Sequence, residues 1–166
     1  MSCRHSPVSF LQLSCPLWAM KILLQLLAIL RAIHWAHWTA HWKMKGEPFY
    51  GDHLLFDKLY TALGDEVDTL AEKIVGTYGS DAIQDMVVLN DAARFMAVHE
   101  VRSSGDLYRR ALQMEDHLQK AIRLAYDAMK ANGDLSLGMD DFLMSMANAH
   151  ETHQYLLRQR LDSSPD

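Results

Sequence analysis

Four side chains on one stretch of the chain have the types and spacing of a metal site: His53, Asp57, Asp68 and Glu72. An α-helix turns by about 100° per residue, so the last three lie about 40°, 60° and 100° round from His53. All four share one stripe. Just upstream, His34, His37 and His41 recur at spacings of three and four, and Trp35, Trp38 and Trp42 follow them one residue on. Each trio forms a stripe on a helix, and the two stripes are adjacent. Imidazole is the commonest side-chain ligand for a transition metal, and it is equally at home in an aromatic interface, so neighbours decide.

Distance narrows the choice. Asp57 and Asp68 stand eleven residues apart, about 16–17 Å along a helix axis. Ligand bonds measure only about 2.0–2.2 Å. One chain cannot bring both pairs to a single ion. If all four residues bind, the site is shared between chains. A two-fold axis would set His53 and Asp57 against the partner's Asp68 and the partner's Glu72, and the same operation makes a second, identical site. His41 would complete each half. The mixed imidazole and carboxylate set suits Fe(II), and also Zn(II) or Mn(II).

The elements that position these residues are helical. Apolar periodicity and stop signals predict a first helix over Leu17 to Lys45, ended by Gly46 and Pro48, and a second over Gly51 to Val75. A third spans Ser104 to Ala131, with Ser103 or Ser104 able to cap it, and a fourth spans Gly138 to Leu161. The link between the second and third is long and carries a short helical pattern from Asp81 to Leu89. No strand pattern stands out. The expected fold is all-α: a four-helix bundle with one long crossover, an arrangement found in ferritin-like bundles. The expected organisation is a tail over 1–17, the bundle over 18–162 and a short tail over 163–166.

With 166 residues, 49% hydrophobic and 22% charged, the chain has the balance of one folded domain. A net charge of −5 argues against a strongly basic nucleic-acid binder. Cys3 and Cys15 make no disulfide framework and read as free thiols in a reducing, cytoplasmic setting. Lys21, Gln25 and Arg31 interrupt the apolar run of the first helix, so no membrane role is expected. Met20 is another possible start.

The stretch from Ala40 to Gly76, AHWKMKGEPFYGDHLLFDKLYTALGDEVDTLAEKIVG, resembles the signature of the Dps-like mini-ferritins. The pattern is His41-Trp42, Gly46 and Phe49 in the turn, then His53, Asp57, Asp68 and Glu72. All five ligand positions match in type and spacing, and the close match covers about residues 34–75. The resemblance implies a dodecameric hollow shell and ferroxidase centres at its two-fold interfaces. There Fe(II) would be oxidised mostly by hydrogen peroxide, and the ferric oxide stored inside. It implies His41, His53 and Asp57 from one subunit and Asp68 and Glu72 from the partner. Trp42 reads either as an electron donor beside the site or as interface packing.

The N-terminal segment departs from the DNA-binding members, because Arg4 is its only fixed positive charge before Lys21. Weak or absent DNA binding is therefore expected. Arg109, Arg110, Arg123, Arg158 and Arg160 read as solvated helix surface. A DNA-compacting shell, and a shell holding zinc or manganese without redox work, stay as alternatives. Asp127, Asp134, Asp140 and Asp141 fall where family pores lie, with Asp141 the best aligned. His34 and His37 read as surface or interface residues. His150 and His153, with Glu151 between them, could share a metal at i, i+3 spacing, though the sequence offers no third ligand.

Overall fold

The computed structural model describes residues 16–46, 48–100 and 106–162. All regular structure among them is helical: α1 (Pro16–Lys43), α2 (Phe49–Tyr78), α3 (Asp85–Val98), α4 (Leu107–Asn132) and α5 (Leu137–Asp162), with a 3₁₀ turn at Ser80–Ala82. Four long helices and a short one in the crossover are present, as the periodicity predicts. The candidate caps Ser103 and Ser104 lie outside the described residues.

The boundaries follow local chemistry. Pro16 opens α1, where its missing N–H costs nothing. Gly46 adopts φ 95° and reverses the chain before α2. α2 runs past Gly76 to Tyr78, because an isolated glycine weakens a helix without ending one. Gly133 takes the left-handed conformation after α4, and the Asp134 N–H returns to the Met129 carbonyl at 3.0 Å, a Schellman closure. Ser136 caps α5 through Oγ, which accepts from the Met139 N–H at 3.2 Å. The crossover helix is longer than the pattern Asp81 to Leu89 predicts. It begins at Asp85 and continues to Val98, since Val88 and Ala92 bury against α1 and carry the helix onward.

α1 is the central helix, packing against α2, α3 and α4, while α5 packs on α4 and more lightly on α2. That explains its apolarity. It is long and apolar enough to cross a membrane by composition, yet half of its most apolar window is already buried in the bundle. Two apolar clusters fill the interior. The larger contains Leu23, Leu30, Ile33, Leu63, Leu70, Met114, Leu118 and Met146. The smaller contains Ala40, Met44, Phe56, Leu59, Ala111 and Leu157. Where they meet, the interior turns polar: His37, Glu115, His150 and His153 are all buried there.

Candidate metal centre

The structure brings His41 and His53 together where α1 ends and α2 begins. Their rings stack with centroids 3.6 Å apart. His41 Nδ1–H donates to the His53 carbonyl at 3.0 Å, and His53 Nδ1–H donates to the His41 carbonyl at 3.2 Å. A carbonyl only accepts, so both Nδ1 atoms carry a proton, and in a neutral ring Nε2 is the nitrogen left to bind an ion. Asp57 stands one turn along α2 from His53. Tyr60 donates to Asp57 Oδ1 at 2.8 Å and meets the His41 ring edge-on at 5.3 Å. That bond to Asp57 pushes the Tyr60 hydroxyl pKa upward. Asp68 and Glu72 continue the same stripe of α2 and are exposed.

Beside this half-site lies a bare aromatic patch. Trp35, Trp38 and Trp42 pack ring to ring at 5.1–5.9 Å, yet Trp35 is 49% and Trp42 55% exposed. Phe49, Tyr50 and Leu54 are exposed alongside. A patch of that kind marks an interaction surface. A surface groove of about 910 Å³ runs from it between α1 and α3, past His34, Trp35 and Met96.

The histidine stripe of α1 divides. His34 stays partly exposed, its pKa lowered by burial and by Arg31. His37 turns into the bundle and is 1% exposed, which corrects its reading as a surface or interface residue. Its neighbours Ile33, Ala36 and Ala40 are core positions, so the face it occupies is the packed one. His37 Nε2 pairs with Glu115 Oε1 at 3.1 Å. His150 Nδ1 pairs with Glu115 Oε2 at 2.5 Å, and His150 Nε2 with Glu66 Oε2 at 2.8 Å. His153 Nδ1 stands 3.7 Å from Glu115 Oε1. The pair on α5 therefore has the third ligand-type group that its own sequence neighbourhood lacks, supplied by α4. Glu115 and Glu66 were not apparent from spacing. The available signal was Glu115 falling on the apolar stripe of Ala111, Met114, Leu118 and Ile122.

Burial acts on these groups in opposite directions. It drives His37 down, outweighing the bond to Glu115. It penalises charged Glu115 too, but the surrounding histidines, His150 first, hold that carboxyl well below its ordinary range. For His150 the burial penalty is overcome by Glu115 and Glu66, and the imidazole rises to about 9.

The arginines depart from a uniform solvated surface. Arg110 is buried against Met96 Sδ. Arg160 clamps the buried Asp52 at 2.6 and 3.2 Å and lies over the Tyr108 ring. Arg158 and Arg109 remain exposed, near Asp116 and Asp106. Asp134 accepts from Asn132 and Tyr78 in the α4–α5 turn, while Asp127 and Asp141 face solvent. Burial and Asp134 push the Tyr78 hydroxyl up to about 12.

The ferritin-like domain family matches residues 20–164. The chain belongs to that family, as a Dps-like mini-ferritin. The DNA protection during starvation protein of Helicobacter pylori is 28% identical over 98 residues, which are 57% of this chain and 65% of that protein. The match thus spans just under two thirds of that relative's length. A low temperature-induced protein of Nostoc is 26% identical over 75% of this chain and 69% of its own. Among solved structures, DpsC from Streptomyces coelicolor is 25% identical, with a TM-score of 0.75 over 99% of this chain and 95% of that one. Dps from Thermosynechococcus elongatus has a TM-score of 0.74 at 18% identity, covering 91% of this chain and 94% of its own.

Proposed function

We propose that this mini-ferritin is a cytoplasmic ferroxidase. It oxidises Fe(II), preferably with hydrogen peroxide, at centres shared across the two-fold axes of a dodecameric shell, and stores the ferric oxide inside. One observation carries the reading. His41 and His53 fix each other with Nε2 available, on an exposed face that also bears Asp57, Asp68 and Glu72. The adjoining tryptophan patch is the apolar surface that a partner subunit would cover. Fe(II) is the substrate, bound by His41, His53 and Asp57 of one subunit with the partner's Asp68 and the partner's Glu72.

Each group has a stated task. The neutral imidazoles hold Fe(II) without strongly favouring the higher charge, and the carboxylates stabilise the charge that builds on oxidation. Two Fe(II) each lose one electron. One hydrogen peroxide takes both electrons and two protons and leaves as two waters, so no hydroxyl radical is released. Trp42, next to His41, either intercepts stray oxidising equivalents or packs the interface. The short supply of basic residues near the N-terminus leaves DNA binding weak or absent.

The test adds Fe(II) anaerobically to the purified protein, then hydrogen peroxide, following ferric absorbance and hydroxyl-radical yield. Oxidation faster than in buffer with suppressed radicals is expected. Oxidation at the buffer rate would remove the ferroxidase reading and leave a shell that holds zinc or manganese, or one that packs DNA.

A further inference from the structure

The polar layer inside the bundle is separate from the exposed half-site and plays no part in the reaction above. We propose that it is a second metal site, in which His37, Glu115, His150 and His153 of a single chain hold one divalent first-row transition ion, with Zn(II) the best match.

Four observations support it. The first is convergence. Donor atoms of Glu115, His150 and His153 lie within 4.8 Å of one another, and all three residues are buried. Donors around a four-coordinate ion at about 2.0–2.1 Å stand roughly 3.3 Å apart. The pairs spread about that figure: His150 Nδ1 to Glu115 Oε2 at 2.5 Å, His37 Nε2 to Glu115 Oε1 at 3.1 Å, and His153 Nδ1 to Glu115 Oε1 at 3.7 Å, with His37 joined to the group through Glu115 alone and brought to the ion by a shift of its ring. The second is an orphan. His153 is 3% exposed, and its Nδ1 has no hydrogen-bond partner while it points at the cluster. A buried polar atom left unpaired is costly, and an ion supplies the partner.

The third is orientation. His150 Nε2 faces Glu66 at 2.8 Å, which leaves Nδ1 directed at Glu115 and the cluster. A carboxylate behind an imidazole fixes the tautomer of a metal-binding histidine and raises its basicity. The fourth is charge. Glu66 and Glu115 bring two carboxylates among three imidazoles, and a divalent ion cancels their formal charge while the rings stay neutral.

The donor set also says what the site does. Three imidazoles and one carboxylate fill a tetrahedral shell with no open position, the pattern of a structural ion. It differs from the carboxylate-rich set of di-iron bundles, in which glutamates come from all four helices. His37 belongs to α1, Glu115 to α4, and His150 and His153 to α5. An ion there would clamp three helices at the seam between the two apolar clusters, with α2 joined through Glu66. Its binding free energy adds directly to folding.

The test uses the full chain, stripped with chelator and reloaded with Co(II) as a spectroscopic probe or with Zn(II). A D57A/D68A chain disables the shared centre, so its failure and that of the interior site are distinguishable. The expected result is one tightly held ion per D57A/D68A chain and at least one per unmutated chain, whose shared centre can take the same ions. Co(II) should give the intense visible bands of a tetrahedral ion with nitrogen-rich ligation, and Zn(II) should raise Tm. His153→Gln, close to imidazole in size, should lower affinity by about 10-fold or more and abolish the Tm gain. Loss of all tight binding in D57A/D68A, or unchanged affinity in His153→Gln, would overturn the proposal. X-ray absorption on Zn-loaded D57A/D68A protein needs no interior substitution. A shell lacking several imidazoles would overturn it too.

Discussion

His41 and His53 hold each other's tautomer through two reciprocal bonds, each ring's Nδ1–H donating to the other residue's backbone carbonyl. Neither imidazole can offer Nδ1 to an ion without breaking such a bond, so both Nε2 atoms are set for binding before iron arrives. The bonds also staple the end of α1 to the start of α2. Groups that orient a ligand commonly matter 10–100-fold. His53→Ala removes one iron ligand and the ring stacked on His41, while the backbone carbonyl that orients His41 stays in place. It should slow the peroxide-driven rise of ferric absorbance by about 10–100-fold with helix content unchanged, as read by stopped flow and circular dichroism.

A shared centre has an arithmetic that a single-chain centre lacks. In a two-fold dimer pairing an Asp57→Ala chain with an Asp68→Ala chain, one site loses both carboxylates and the other loses none. Each variant alone should be nearly inactive. Shells reassembled from equal amounts should recover about one quarter of the unmutated rate, since about half the dimers are mixed and half their sites intact. Recovery no greater than the average of the two separate variants would mean that each site is built within one chain.

The long helices and the stripe from His53 to Glu72 were legible because both are local: periodicity and i, i+4 spacing are properties of one helix. The interior layer was not. His37 and Glu115 are separated by 78 residues, and His150 and Glu115 by 35. Only packing joins them. His34, His37 and His41 recur at three and four residues, all within one helical stripe, so the stripe gave no sign of which histidine would face inward. Glu115 carried more information than it was given, since an acid amid Ala111, Met114 and Leu118 must find partners when those neighbours bury.

Asp52 and Arg160 tie the start of α2 to the end of α5. Asp52 is buried, and the guanidinium both pairs with it and lies 4.8 Å from the centroid of the Tyr108 ring. Burial and the nearby Asp52 push the Tyr108 hydroxyl upward, which keeps it neutral. Removing one member of a largely buried pair strands the other. Asp52→Ala should cost roughly 2–4 kcal/mol, the lower end reflecting the partial exposure of Arg160. Guanidinium denaturation measures it. A loss below about 0.5 kcal/mol, the scale of an exposed pair, would contradict the structural weight given to this clamp.

The interior layer makes the stability of the metal-free protein pH-dependent. The groups that meet there are His37 from α1, Glu66 from α2, Glu115 from α4 and His153 beside His150 on α5. Burial lowers His150, but Glu115 and Glu66 outweigh it and raise the imidazole from 6.5 to about 9. A raised imidazole stabilises the fold fully below about pH 6.5, and that contribution is lost as pH climbs through about 9. The shift corresponds to roughly 3 kcal/mol. Glu115 has the opposite sign. Its depressed pKa stabilises the fold above the ordinary carboxyl range and is lost only in acid. Between pH 6 and pH 10 the His150 effect therefore acts in one direction, whereas His37, lowered by burial, acts oppositely but only below about pH 7, so the Tm of chelator-stripped protein should fall across the upper part of that interval. His150→Gln should start lower at pH 6 and decline less, because it has no proton to lose. Equal slopes in the two proteins would show that the alkaline loss arises elsewhere and that His150 is not the charged member of the layer.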